Sequence, residues 1–313
     1  AAIRAELDEL TRYPDGNGFS LKTLLAERCG VSTAQVTLGN GSNDILELVA
    51  RAYLAPGLNA VFSEHAFAVY PIATQAVGAQ AKVVPAVNFA HDLPAMLAAI
   101  DANTRVVFIA NPNNPTGTWF SKQALRDFLA AVPENVLVVL DEAYIEYADG
   151  DELPNGIDYL ADHANLLVSR TFSKAYGLAS LRVGYGLSRP DVADVLNRVR
   201  QPFNVNSFAL AAACAAFDDT EYLARSREIN TAGMLQLQEG CRELGLGWIP
   251  SKANFLAIDF GRDTAAINQG LLREGVIVRP VAGYGMPNHL RVSIGLPAEN
   301  ARFLEALRKV LNA

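Results

Sequence analysis

The sequence predicts an α/β fold: a large unit with a mostly parallel seven-stranded sheet covered by helices, and a smaller α+β unit at the C-terminal end. Three observations carry this expectation. Short β-rich runs alternate with helical stretches as far as about residue 205. Those runs lack the polar alternation of a half-wet sheet, as expected when both faces are buried. Beyond them the pattern changes to a long helical region followed by short strands.

In chain order, residues Ala1 to Leu7 read as an amphipathic helix that begins without a cap. Strands are expected at 35–38, 60–62, 81–84, 105–110, 136–140, 166–169 and 184–187. Helices fit between them at 43–53, 70–77, 93–99 and 121–131, the last with Ser121 as its N-cap. A helical region over 207–244, broken near Asp218 and Thr220, precedes short strands at 255–259, 276–278 and 290–293. A helix over 298–311 closes the chain. We place the large unit at 14–228 and the small unit at 229–313, with helix 1–13 belonging to the latter.

Composition narrows the function classes. Half of the 313 residues are apolar and 19% are charged, which is ordinary for a globular protein. A formal net charge of -7 argues against a general nucleic-acid role. Three cysteines, Cys29, Cys214 and Cys241, are too scattered for a disulfide framework or a zinc site, and a reducing cytoplasm is expected. The four histidines show no metal-ligand spacing, so no metal is assigned. The most apolar stretch, 208–217, is shorter than the roughly 20 residues a membrane span needs, and no signal peptide is read at the start.

The chemistry concentrates in loops that follow strand-like runs. Asn114, Asp141 and Lys174 lie 27 and 33 residues apart, each gap close to one βαβ unit. All three should therefore fall just beyond the carboxyl ends of parallel strands, where open α/β sheets bind ligands. Lys174, in Ser169 to Leu178, can form an imine with an aldehyde and then move a proton. Asp141 can pair with a protonated pyridine nitrogen, while Asn114 and Tyr144 can donate to a phenolate oxygen on the same ring. Taken singly, Lys174 also reads as a solvated loop lysine and Asp141 as a helix cap.

Thr171, Ser173 and Arg182 would hold a phosphate, for which arginine supplies two parallel charge-assisted bonds. The loop Gly39 to Asp44 opens a helix and offers free N–H groups to an anion, with Ser42 and Asn43 in its first turn. A dinucleotide fold is the rival there, since Glu64 stands where a ribose-binding acid would sit. It fails because Asp44 occupies the position of the third glycine. Phe67 could stack on a flat ring, although core packing is the commoner fate of such an aromatic. Arg279 and Arg291, each beside a short strand, could clamp a substrate carboxylate or phosphate; surface salt-bridging is the alternative. Together these loops point to pyridoxal 5'-phosphate.

From Tyr13 to the last helix the chain resembles the fold type I pyridoxal-phosphate-dependent aminotransferases, and more narrowly the histidinol-phosphate aminotransferases. The resemblance rests on Arg12-Tyr13-Pro14, Asn111 to Gly117, Asp141 to Tyr144, Ser173-Lys174 with Gly177-Leu178 and Arg182, and Leu290-Arg291-Val292. It implies that Lys174 is the imine-forming lysine, Asp141 the ring-nitrogen partner, and Asn114 and Tyr144 the partners of the ring oxygen. Phe67 takes the place of the stacking aromatic, often Tyr in relatives. Ser42, Asn43, Thr171, Ser173 and Arg182 form the phosphate cup, and Arg279 and Arg291 bind substrate.

The resemblance also implies a homodimer in which Tyr13 reaches the phosphate of the neighbouring subunit's cofactor. The implied reaction moves an amino group from L-histidinol phosphate to 2-oxoglutarate in histidine biosynthesis. Alternatives are an aromatic or broad-range aminotransferase, a threonine-phosphate decarboxylase, or a cofactor-binding dimer without turnover. One departure bears on the last. Relatives begin with an arm carrying an Asn-Glu-Asn-Pro-like motif over the substrate, and nothing in this sequence matches it. A chain without that arm is expected to keep its cofactor while turnover and selectivity suffer.

Overall fold

In the computed structural model, which describes residues 1–148 and 150–312, eleven strands form two sheets. The first holds β1 (Val36–Gly39), β2 (Asn59–Ser63), β3 (Gln80–Val84), β4 (Thr104–Ala110), β5 (Leu137–Asp141), β6 (Leu166–Thr171) and β7 (Gly184–Ser188). Their order is β1-β7-β6-β5-β4-β2-β3, and only β7 runs against the rest. The seven expected strands are all present, with ends shifted by one or two residues.

Alternate residues of the central strands go to opposite cores. Val107, Ile109, Val138, Leu140 and Val168 join one cluster, with Leu21, Leu125 and Phe128 from the helices. Val106, Phe108, Val139 and Leu167 join the other, with Ile45, Val49 and Tyr70. Both faces are thus dry, which is why the strands read as unbroken apolar runs. The helices in the first part of the chain are α1 (Ala2–Ala5), α2 (Phe19–Cys29), α3 (Ser42–Tyr53), α4 (Val69–Ala76), α5 (Leu93–Ala98), α6 (Lys122–Ala131) and α7 (Pro190–Val199), of which α2 to α7 bury residues. Ser121 caps α6 as expected, its Oγ accepting from Ala124 N at 3.2 Å.

The expected break in the long helical region separates α8 (Ser207–Phe217) from α9 (Thr220–Glu243). Its cause is local: Asp219 caps α9 by accepting from Tyr222 N at 3.0 Å. The expected unit boundary at 228/229 falls inside α9. The second sheet, order β10-β11-β9-β8, is antiparallel and holds β8 (Gly247–Ile249), β9 (Phe255–Asp259), β10 (Arg279–Pro280) and β11 (His289–Ser293). α9, α10 (Ala265–Arg273) and α11 (Pro297–Leu311) cover one of its faces through Leu256, Ile258, Leu290 and Val292.

Two expectations need correction. Residues 276–278 are not a strand; the short edge strand begins at Arg279, where pairing with Arg291 starts. An apolar Val-Ile-Val run reads as a strand wherever it lies, but here Ile277 is 86% exposed and unpaired in the sheet. The N-terminal helix is only Ala2–Ala5 followed by a 3-10 turn at Glu6–Glu9, and it packs on α8 rather than siding with the second sheet.

Candidate active site

The sheet brings the chemistry-bearing loops to one edge. Ala110, Asp141 and Ser169 form a register row across β4, β5 and β6 at their carboxyl ends. Asn114 follows four residues beyond that row, and Lys174 five residues beyond it. A cavity of about 200 Å³ opens there, lined by Ser42, Asn43, Phe67, Asn114, Asp141, Tyr144, Thr171, Ser173, Lys174 and Arg182. Ala110, with Pro112 and Ala143 from the two loop motifs, completes its wall.

The Asn111 to Gly117 loop explains which of its asparagines faces the cavity. Asn111 accepts from Phe120 N at 3.0 Å, and Asn113 donates to His65 O at 2.7 Å and to Thr116 Oγ1 at 2.9 Å. Those two hold the loop. Asn114 lines the cavity, and its Oδ1 accepts from Arg291 Nη1. That bond orients the amide so that its NH2 group is left to donate.

Asp141 is 5% exposed. Its Oδ2 accepts from the Tyr70 hydroxyl at 2.9 Å and its Oδ1 from Ala143 N at 3.2 Å. No cationic side chain hydrogen-bonds it among the described residues. Burial pushes its carboxyl up to about 6, against the two hydrogen bonds and the attraction of Lys174. Such a carboxylate fits a cation that a ligand brings, as a protonated ring nitrogen would be.

Lys174 is half-buried, with its Nζ 5.3 Å from the centre of the Tyr144 ring. Burial lowers its pKa, and the positive charges of Arg291 and Arg182 lower it further against the opposing pull of Asp141. A lysine with a lowered pKa is the better nucleophile towards a carbonyl. Tyr144 is itself pushed upward by burial, so its hydroxyl stays protonated and able to donate.

The anion cup is built from three elements. The 12-residue α3 starts at Ser42 without a side-chain cap; Asp44 N donates to Gly41 O at 3.2 Å, and the N–H groups of Ser42 and Asn43 are left for an anion. Arg182 lies over this turn: a Cβ at Gly41 would stand 2.5 Å from its Nη2, and Gly41 has φ +79. Arg182 also donates to Ser173 Oγ at 3.4 Å, and Thr171 Oγ1 accepts from Ser173 N at 3.1 Å. Asp44 does not oppose an anion here. Its Oδ2 turns to Asn40 N at 2.9 Å and Asn204 Nδ2 at 2.7 Å.

The remaining candidates lie outside the cavity wall. Arg291, on β11, reaches it through Asn114 and rests on the Phe255 ring at 4.8 Å. Arg279 is its pairing partner on β10 and is exposed, and both line a separate open groove beside β10 and β11. Tyr13 is 82% exposed and stacks on Phe203 at 4.7 Å. Tyr70 is the residue the sequence reading missed. Its spacing three residues beyond Phe67, at the start of a helix, is the signal that was available.

Among the described residues no helix is long and apolar enough to cross a membrane, and no cluster of His, Cys, Asp and Glu is placed to hold a metal. The profile of the aminotransferase class I and II family matches residues 1–307. The histidinol-phosphate aminotransferase 2 of Pseudomonas fluorescens is 81% identical over 311 residues, covering 99% of this chain and 84% of the relative. That of Pseudomonas aeruginosa is 77% identical over 310 residues, with the same coverage. The crystal structure of the Sinorhizobium meliloti histidinol-phosphate aminotransferase in complex with pyridoxal-5'-phosphate superposes with a TM-score of 0.94 at 33% identity, covering 99% of this chain and 86% of that one.

Proposed function

The chain belongs to the aminotransferase class I and II family and, within it, to the histidinol-phosphate aminotransferases, and on that premise we propose that it moves the amino group of L-histidinol phosphate to 2-oxoglutarate. The products are imidazole-acetol phosphate and glutamate, a step of histidine biosynthesis. The enzyme depends on pyridoxal 5'-phosphate. The observation that carries this reading is the meeting of Lys174, Asp141 and Asn114 at the ends of three adjacent parallel strands, beside an uncapped helix N-terminus and an arginine.

When bound, the cofactor supplies an aldehyde and an electron-accepting ring. Lys174 would be the residue that links to that aldehyde, and its amine would hold and return the proton at the substrate carbon. Asp141 holds the ring nitrogen in its protonated form, and its burial without a cation of its own makes that pairing favourable. Asn114 and Tyr144 donate to the ring oxygen. Phe67, in the cavity wall, would lie against one face of the ring. Ser42, Asn43, Thr171, Ser173 and Arg182 take the phosphate, which anchors the ring while Lys174 moves.

Arg291 and Arg279 take the anionic group of the substrate, with Arg291 tied to Asn114 so that substrate charge and ring oxygen are sensed together. We assign cofactor binding to 14–228 and substrate-side contacts to 229–313, and place α1 and the turn Glu6–Glu9 with the large unit because they pack on α8. The exposed Tyr13 serves a second copy of the chain, reaching the partner's phosphate in a cytoplasmic homodimer.

The test uses purified holoenzyme. Histidinol phosphate should bleach the cofactor's visible band and 2-oxoglutarate should restore it, with faster turnover than for phenylalanine or threonine phosphate. A preference for phenylalanine would replace the substrate with an aromatic amino acid, and no spectral change with any donor would leave only a cofactor-binding protein.

A further inference from the structure

Tyr70 is wholly buried, and no role above uses it. Packing fixes where it points. It stands in the first turn of α4, three residues past Phe67. Its ring lies flat on Phe108 of β4, with centroids 4.8 Å apart and planes at 7°. It meets Phe67 edge-on at 6.0 Å and 90°. A ring clamped on both sides has little rotamer freedom left. Its hydroxyl is thereby delivered to Asp141 Oδ2 at 2.9 Å.

The other groups facing Asp141 are few. Ala143 N–H donates to Oδ1 at 3.2 Å; Lys174 and the neighbouring Glu142 act through charge. Glu142 is occupied elsewhere, accepting from Gly156 N at 2.6 Å and from Arg170 at 2.7 Å and 2.9 Å. Tyr70 is therefore the side chain that hydrogen-bonds Asp141 among the described residues.

We propose that Tyr70 is a positioning residue: its hydroxyl fixes the Asp141 carboxylate against the cofactor's ring nitrogen, and its ring edge backs Phe67. This rests on the assignment of Asp141 to that nitrogen. One side chain would then set both the edge and the face contacts of the ring. The physical reason is polarity. Without the hydroxyl, Oδ2 would lose its side-chain donor, and a buried carboxylate that loses a donor favours its protonated form. A protonated Asp141 cannot hold the ring nitrogen's proton. Tyr70 itself remains a donor, because burial and the adjacent carboxylate push its phenol well above its ordinary range.

The test is Tyr70→Phe, which keeps the packing and removes the donor. Apoprotein and holoenzyme are both read. In the apoprotein, the carboxyl carbon of Asp141 followed by 13C NMR should titrate at higher pH in the variant. In holoenzyme loaded with cofactor labelled with 15N at the ring nitrogen, that resonance should move towards its unprotonated position. kcat should fall about tenfold with KM nearly unchanged, as for loss of a hydrogen bond to a charged group.

Unmoved titration and an unmoved 15N resonance in Tyr70→Phe would overturn the proposal. Should that variant fail to fold, 3-fluorotyrosine at position 70, a stronger donor of almost the same shape, should move the Asp141 titration to lower pH; no movement again overturns it. Asp141→Asn tests the underlying assignment separately. If that variant keeps a protonated ring nitrogen, the partner has been misassigned, whatever Tyr70 does.

Discussion

Ten side chains read from the sequence meet in the crevice at the carboxyl edge of the first sheet, whereas Tyr13 lies out on the surface, stacked on Phe203. The crevice is made by one chain. Its residues sit at strand ends or helix starts; the register of β4, β5 and β6 brings the Asn114, Asp141 and Lys174 loops together, and α3, the segment leading into α4 and the turn before β7 add the rest. Tyr13 has no such frame. Among the described residues no hydrogen bond uses its hydroxyl, and its assigned role needs a second copy. The comparison separates chemistry that a single fold builds from chemistry that assembly must add.

The largest effect expected is at the centre of the crevice. Lys174→Ala should abolish the borohydride-reducible link to the cofactor and cut turnover by about ten-thousandfold or more, as for other groups that carry the reaction. Mass spectrometry after reduction reads the link. A surviving link would move the chemistry to another lysine and break the crevice side of the comparison.

Asp141 gives the next effect, with opposite signs for stability and function. Its folded pKa is raised to about 6 from an ordinary 3.8, so ionisation costs more in the apoprotein than in the unfolded chain. The sign follows: the group is neutral and costs nothing below about pH 4, and the penalty is complete above about pH 6. Asp141→Asn should therefore stabilise the apoprotein by up to about 3 kcal/mol near pH 8 and leave it unchanged near pH 4. The same substitution should reduce kcat by about a hundredfold or more, because the ring loses its charged partner. Urea unfolding at the two pH values checks the first half, and steady-state kinetics the second. Equal stability gains at both pH values would show that Asp141 is not strained by its charge.

Much of the crevice was legible for a physical reason. Parallel strands buried on both faces leave unbroken apolar runs, and the polar loops after them stand out. Asp44 was less legible. It stands beside the anion-binding turn, and the residue that turns its carboxylate aside, Asn204, lies 160 positions away. Tyr70 was hidden for the reverse reason: an aromatic at a helix start reads as core, and it is core, with only its hydroxyl projecting into the site. The edge strand was misplaced by three residues because two paired residues leave almost no periodic signal.

The two substrate-side arginines stand between the extremes. Arg291 is half-buried on Phe255 and bonded to Asn114, while Arg279 is exposed on the sheet edge. Lysine cannot reproduce the planar fork. Arg291→Lys should raise KM for histidinol phosphate about tenfold to a hundredfold, and Arg279→Lys only about threefold, because an exposed pair is screened by solvent. Equal effects would mean that Arg279 is enclosed when substrate is bound.

The smallest expected effect tests the surface side. Tyr13→Phe keeps the stacking on Phe203 and removes only the hydroxyl, so protomer unfolding should stay within about 0.5 kcal/mol of wild type. If Tyr13 serves the partner's phosphate, cofactor affinity should nevertheless fall about tenfold, the weight of one hydrogen bond to a charged group. Dilution should then separate the two proteins by their dimers: once protomers come apart, wild type loses the extra contact and the two affinities converge. A difference that persists in the monomer would place Tyr13 in its own subunit's site. No difference at any concentration would remove it from cofactor binding, leaving the crevice built by one chain alone.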